Sequence, residues 1–278
     1  MPLKLMYITN NPAVALIAQK YGVDRIWVDL ETLNKAERQK NITSVKSNHT
    51  VRDVEIISKM LTTSEMQVRV NPWNGTSVQE IEAVIAAGAD IIMLPMWRTV
   101  DEVKNFLNAV NGRAKTILLL ETKEAEMCLD SVLRLNGVDE IHIGLNDLHL
   151  SYGLTFMFEL LSNGTVERIC RKIKPAGLPY GFGGIARIGG GLLPAERILM
   201  EHYRLGSTRA ILSRSFCDAN KIGDIESVEK IFDENMPRLR KYEEALATKT
   251  EAEYAENRRA IECCVNEIVS KLKRKKAL

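Results

Sequence analysis

Eight short apolar runs punctuate the chain, and amphipathic stretches of ten or more residues separate most of them. The runs are Leu5–Thr9, Arg25–Glu31, Met66–Asn71, Asp90–Met96, Thr116–Glu121, Glu140–Asn146, Pro179–Ala186 and Arg209–Ser215. Several are apolar at consecutive positions, as in Ile91-Ile92-Met93-Leu94 and Ile117-Leu118-Leu119-Leu120. A strand with one wet face alternates apolar and polar residues; a strand covered on both faces does not. Strands of the second kind, alternating with helices, build parallel sheets.

The intervening stretches carry helical signals. Val78, Ile81, Val84 and Ile85 share one face ahead of Gly88. Val100, Val103, Phe106, Leu107 and Val110 do the same ahead of Gly112, and a glycine just past an apolar stripe is a helix stop. Thr99, with Glu102 three residues on, has the spacing of a capping box. Eight strands each followed by a helix, in about 240 residues, predict an α/β (β/α)8 TIM barrel. A doubly wound sheet is the alternative. It usually has fewer strands, and its nucleotide-binding forms carry an early glycine-rich turn that this chain lacks. Residues 1–240 are assigned to the barrel and residues 241–278 to a C-terminal helical extension. In that extension Ile261, Cys264, Val265, Ile268 and Leu272 form one stripe. The stripe is expected to pack on a second subunit, with the chain's own barrel as the other possible partner.

Composition narrows the function classes. Thirty-eight basic residues against 36 acidic ones leave a formal charge of +2. Five of the basic residues lie in the terminal run Lys271–Lys276, read as a solvated end. A dedicated nucleic-acid binder is therefore not expected. No apolar run is long enough to span a membrane. The five cysteines are odd in number and include no C-x-x-C pair, which points to a reducing compartment and a cytoplasmic, soluble protein.

In such barrels chemistry sits at the C-terminal ends of the strands. The candidates there are Asp29, Glu31, Arg69, Trp97, Glu121, Asn146, Asp147, Arg187 and Arg214. Glu121 and Asp147 end neighbouring strands, which lie about 4.8 Å apart. They can converge on one hard cation such as Mg²⁺ or Mn²⁺, or each can cap the helix behind it. Arg69 alternates with Val68 and Val70 and so points into the barrel. Its partner is either Asp29 or Glu31, or a substrate carboxylate held bidentately. Arg187, the glycines 189–191 and Arg214 occupy the place where barrels often bind phosphate; a plain flexible loop is the alternative. No lysine projects from the strand ends, so a Schiff-base aldolase is disfavoured. His49, on the loop after the second strand, is the histidine best placed for acid/base work, and His142 reads as packing.

With these residues placed, the chain resembles the HpcH/HpaI aldolases and citrate-lyase-like enzymes. The resemblance rests on Asp24–Glu31, Val68–Asn71, Gly88–Met96, Leu120-Glu121-Thr122 with Glu124-Ala125, and Gly137–Asp139 through Ile143–Leu148. It implies a metal-dependent carbon–carbon lyase acting on a 2-oxo acid such as pyruvate together with an aldehyde. Glu121 and Asp147 would hold a divalent ion, with Mg or Mn favoured and Co possible. Arg69 would hold the substrate carboxylate, helped by backbone N–H groups near Asn146 and Asp147. The family's pyruvate aldolases carry His directly after the strand-2 glutamate, where this chain has Thr32. His49, ordered by Glu31 or Asp29, is therefore the substitute base. A CoA-thioester lyase of the citrate-lyase type and a catalytically silent scaffold are the competing functions.

Overall fold

The computed structural model describes residues 2–33 and 48–276, with side chains to residue 274. Eight parallel strands close into a barrel in chain order. They are β1 (Lys4–Ile8), β2 (Arg25–Asp29), β3 (Glu65–Arg69), β4 (Ile91–Leu94), β5 (Lys115–Leu120), β6 (Glu140–Ile143), β7 (Tyr180–Ile185) and β8 (Arg209–Leu212). β8 returns to β1, pairing Arg209 with Lys4 and Ala210 with Leu5. The barrel expectation holds, and the doubly wound alternative fails because the sheet has no edge.

The uninterrupted apolar runs are explained by two separate cores. Met6, Trp27, Ile91, Met93, Ile117 and Leu119 line the barrel interior. Their chain neighbours Val28, Ile92 and Leu118 belong to the outer core between strands and helices. Below the interior cluster lies an ionic floor. Arg25 donates twice to Glu140, at 2.7 and 2.6 Å, and Arg209 Nε donates to the same carboxylate at 2.9 Å. Glu65 accepts from Arg25 at 3.0 Å and also pairs with Lys115. Burial alone would raise the Glu140 pKa, but the two guanidinium groups hold it at about 2.

The helices obey their sequence signals, with two differences. The helices are α1 (Pro12–Lys20), α2 (Val51–Ser58), α3 (Ser77–Ala86), α4 (Val100–Val110), α5 (Lys123–Val132) and α6 (Leu145–Ser151), then α7 (Glu159–Ser162), α8 (Thr165–Ile173), α9 (Ala195–Leu205), α10 (Ala219–Ile222), α11 (Ile225–Leu246) and α12 (Glu251–Lys276). Thr99 and Glu102 make the expected capping box on α4. The same helix ends on Asn111 in the left-handed region, φ 49°, one residue before the expected glycine stop; asparagine tolerates that conformation better than most side chains.

The second difference concerns the C-terminal part. The proposed boundary at 240/241 falls inside α11. Three residues past it, buried Glu243 accepts from the Leu3 N–H at 2.7 Å, and Arg240 donates to the Leu3 carbonyl at 2.9 Å. α11 is thus the helix that seals the β8–β1 seam, and the extension proper is α12. Its apolar stripe is spent on the chain's own barrel. Ile261 and Val265 are buried in the outer core, and Cys264, Ile268 and Leu272 pack against it. α12 docks on α9 and α7. The stripe therefore gives no reason for a second subunit. The basic run stays solvated as far as it is described, with Lys271, Lys273 and Arg274 exposed; the side chains of Lys275 and Lys276 lie outside the described residues.

Candidate active site

At the C-terminal mouth, Asp29, Glu31, Arg69 and Glu121 come together as buried or nearly buried charges. Cα pairing sets Asp29 beside Arg69. Arg69 Nε and Nη2 each donate to one Asp29 oxygen at 2.8 Å, and Nη2 lies 3.3 Å from Glu31 Oε2. The guanidinium stands over the Trp27 ring, 5.2 Å from its centroid, in cation–π range. Burial would favour its neutral form, but the Asp29 and Glu31 charges outweigh that and hold it charged. One of the two open readings of Arg69 is settled in part. Its Nε–Nη2 edge is committed to Asp29, so that edge does not receive a substrate carboxylate bidentately. Nη1 makes none of these contacts.

Glu121 follows β5 and is 3% exposed. Thr122, not Glu121, caps α5: its hydroxyl accepts from the Ala125 N–H and donates to the Trp97 carbonyl. Capping is thereby excluded as the reason for the Glu121 carboxylate. Instead Glu121 Oε1 accepts from the Met96 N–H at 3.0 Å. Met96 sits at φ +53°, a region a non-glycine residue enters at a cost of roughly 1–2 kcal/mol. The strained residue after β4 thus aims a backbone donor at the carboxylate. On its other side, a Cβ on Gly144 would come within 2.8 Å of Glu121 Oε2. Glycine at the end of β6 leaves the carboxylate its place. Met96 and Gly144 were missed from the sequence. A glycine closing a buried strand next to a candidate ligand is a usable signal, whereas nothing in Pro95-Met96 announces a positive φ.

Asp147 lies three residues past Gly144, half-buried in the first turn of α6. No side chain caps that helix, so an acidic group there also suits the helix dipole. Among the described residues no group of three or more His, Cys, Asp or Glu side chains is arranged to hold a metal. That donor set does not suit a fully protein-ligated ion such as structural zinc. By donor type, Glu121, spared by the Gly144 cradle, and Asp147 in the first turn of α6 suit a hard divalent cation completed by water and substrate oxygens.

The remaining candidates are placed as follows. His49 immediately precedes Thr50, the N-cap of α2, and its Nδ1 accepts from the Asp29 N–H at 2.9 Å. An amide can only donate, so Nδ1 is unprotonated and the ring proton of the neutral imidazole is on Nε2. In this tautomer His49 is a donor; acting as a base through Nε2 would require breaking the Asp29 bond. Thr32, at the departure from the family pattern, is held by Asn71, whose Oδ1 accepts from the N–H groups of Thr32 and Leu33 at 2.9 and 3.0 Å. Asn146 is half-buried beside Asp147. Trp97 is buried in the outer core, so its ring is not presented to a substrate. Arg187 and Arg214 are exposed. In the glycine turn after β7, the Gly189 N–H donates to Glu196 Oε1 at 2.7 Å. A carboxylate already occupies that donor, which counts against a phosphate at this turn. His142 is buried inside the barrel, where desolvation lowers its pKa to about 4. His202 is lowered to about 3 by the same cause, stacked on Phe182 at 3.8 Å.

No curated protein matches the chain in sequence. Solved structures share its fold at low identity. An HpcH/HpaI aldolase from Desulfitobacterium hafniense DCB-2 superposes with a TM-score of 0.60 at 14% identity, over 82% of this chain and 93% of that one. A citrate lyase from Burkholderia xenovorans LB400 gives 0.58 at 14%, over 96% and 92%. Macrophomate synthase gives 0.56 at 14%, over 82% and 85%. The family model HpcH/HpaI aldolase/citrate lyase matches residues 4–177, from β1 to just before β7. That span is well over half of the chain and includes every residue placed at the carboxylate site, and the chain belongs to the HpcH/HpaI aldolase/citrate lyase family.

Proposed function

We propose that this barrel is a carbon–carbon lyase that makes or breaks the bond next to the carbonyl of a 2-oxo acid of the pyruvate type, with a divalent cation, Mg²⁺ or Mn²⁺, at Glu121 and Asp147. The observation that carries the reading is Glu121. It is a buried carboxylate kept from helix capping, held by a strained backbone N–H and given room by Gly144. Such an arrangement has a use when the carboxylate must stay charged and aimed. A cation bound there supplies Lewis-acid polarisation of the 2-oxo group.

The chain's own groups do the rest. Asp29 locks one edge of Arg69, so the guanidinium is pre-oriented and Nη1 can donate to the substrate carboxylate. The N–H groups at the start of α6 face the same end of the barrel and suit an anion. His49, bonded through Nδ1 to the Asp29 N–H, braces the residue that orients Arg69. The CoA-thioester reading has less support, because the Gly189 turn is occupied by Glu196.

The test needs no knowledge of the aldehyde. The enzyme should exchange pyruvate methyl protons with deuterated water, measured by NMR, only when Mg²⁺ or Mn²⁺ is present. Glu121→Gln and Asp147→Asn should abolish both the exchange and Mn²⁺ binding in folded protein. Undiminished metal affinity in both variants refutes the site; exchange without metal refutes the metal dependence.

A further inference from the structure

Between the ionic floor of the barrel and the Asp29–Arg69 pair at its mouth lies a layer that sequence reasoning would fill with apolar side chains. Here it contains Trp27, Gln67 and His142. Each stands two residues along its strand from a floor residue, Arg25, Glu65 and Glu140 respectively, and so shares the inward face. Register agrees. Gln67 pairs across with Trp27 and Ile91, and His142 with Leu119, all of which line the interior. On the other side of His142 the register places Gly181, which contributes no side chain.

These three residues are buried to 2% exposure or less. Five of their polar atoms have no hydrogen-bond partner among the described residues: Trp27 Nε1, Gln67 Nε2 and Oε1, and both ring nitrogens of His142. The Gly183 backbone lies close enough to the His142 ring to favour a proton on it, though short of full hydrogen-bond geometry. Nearly all buried polar groups in folded proteins are paired with protein or with ordered water. Five left dry would together cost about as much as a domain's whole net stability.

We infer that the middle layer of this barrel is a water-binding site, in which Trp27, Gln67 and His142 hold a small cluster of ordered water molecules. The ligand class follows from donor arithmetic. Neutral His142 supplies one donor and one acceptor, Gln67 two N–H donors and one acceptor, and Trp27 one donor. An anion could satisfy the donors but not the Gln67 oxygen or the acceptor nitrogen of His142; a cation has the opposite failing. Water serves both. A buried water makes about three hydrogen bonds, so about two molecules serve the five atoms. The cluster is closed in from both ends, by Arg25–Glu140 below and by Asp29–Arg69 over the Trp27 ring above. Exchange with solvent therefore waits on an opening of one of these ion pairs, and the waters are long-lived.

A crystal structure of the full chain, at a resolution where ordered water is visible, should place water within hydrogen-bond distance of Trp27 Nε1, the Gln67 amide and the His142 ring. Water-oxygen magnetic relaxation dispersion on the same protein should count at least two long-lived internal waters. Gln67→Met keeps the volume, removes three hydrogen-bonding capacities, and should reduce that count by at least one with the circular dichroism unchanged. Density showing the three side chains bonded directly to one another, an ion in the layer, or an unchanged water count in folded Gln67→Met overturns the inference. Should Gln67→Met fail to fold, the density and the count for the unaltered protein decide alone.

Discussion

Gly144→Ala tests the carboxylate site with the smallest possible change. Gly144 has φ −82° and ψ 89°, so alanine meets no left-handed strain, and the effect is steric. The new Cβ would lie 2.8 Å from Glu121 Oε2, 3.0 Å from Glu121 Cβ and 3.2 Å from Leu119 Cδ1. Ordinary contact begins near 3.4 Å, so the carboxylate must retreat by about 0.6 Å. With Met96 on the carboxylate's other side, a retreat of that size would crowd the 3.0 Å bond from its N–H or swing the carboxylate off that donor. Overpacking of this kind costs about 1–3 kcal/mol, offset by roughly 0.4–1 kcal/mol from the lost freedom of glycine in the unfolded chain. The net loss of stability should be about 0–2.5 kcal/mol by urea unfolding. Function should suffer more, because misplacing a catalytic group by about 1 Å can cost about 100-fold. We expect Mn²⁺ affinity and the pyruvate exchange rate each to fall by about tenfold or more. Gly75→Ala, with nothing within 4 Å of the new Cβ, is the control. Metal affinity and exchange within twofold of the unaltered enzyme would refute the cradle.

Other expectations follow from the same geometry. His142 and His202 are neutral in the folded protein, with pKa values lowered to about 4 and about 3. A depressed histidine means that the unfolded chain takes up the proton first as pH falls. Stability should be full above about pH 6.5 and decline below it, by up to about 1.4 kcal/mol per pH unit for each histidine; His202→Phe should flatten the decline in thermal melts between pH 6.5 and 4. Glu140, held at about 2, adds a loss of stability at lower pH, between its unfolded value near 4.5 and 2. His49→Ala should lower exchange by less than about tenfold, because its Nδ1 is engaged by the Asp29 N–H; a loss of about 100-fold or more, the usual worth of a positioned base, would restore it as the base. Deleting residues after Lys249 uncovers the partners of Ile261 and Val265. At about 1.5–3 kcal/mol per buried aliphatic side chain, it should destabilise the barrel by several kcal/mol in urea titrations. If instead the truncated chain keeps its stability and only its sedimentation changes, the stripe serves a subunit after all.

The architecture was legible because strand burial writes itself into composition: each of the eight strands coincides with one of the apolar runs, several of them covered on both faces. The site was legible as residue types but not as contacts. Alternation puts Arg69 inside the barrel, but no sequence pattern encodes that Asp29 takes its Nε–Nη2 edge. Trp97 departs from its expected place because a strand-end position does not by itself face the mouth: the chain turns and sends the indole into the outer core. The partner of the α12 stripe could not be read from periodicity, which reports that a face is apolar and not what covers it. The Met96 strain and the Glu196–Gly189 bond depend on backbone angles and loop closure, which no local pattern encodes.

The latch between Leu3 and Glu243 spans 240 positions of sequence, and this sets the timetable of synthesis. β1 can complete its pairing with β8, and bury its amide against Glu243, only after residue 243 has left the ribosome. At about 5–20 residues per second, that leaves the first strand with one unpaired edge for roughly 12–50 s. Through that interval β1 depends on β2 and on the Asp24 carboxylate that accepts from the Leu5 N–H at 2.8 Å. Nascent chains stalled before residue 243 should therefore be the species that chaperones bind and that aggregates through its open edge.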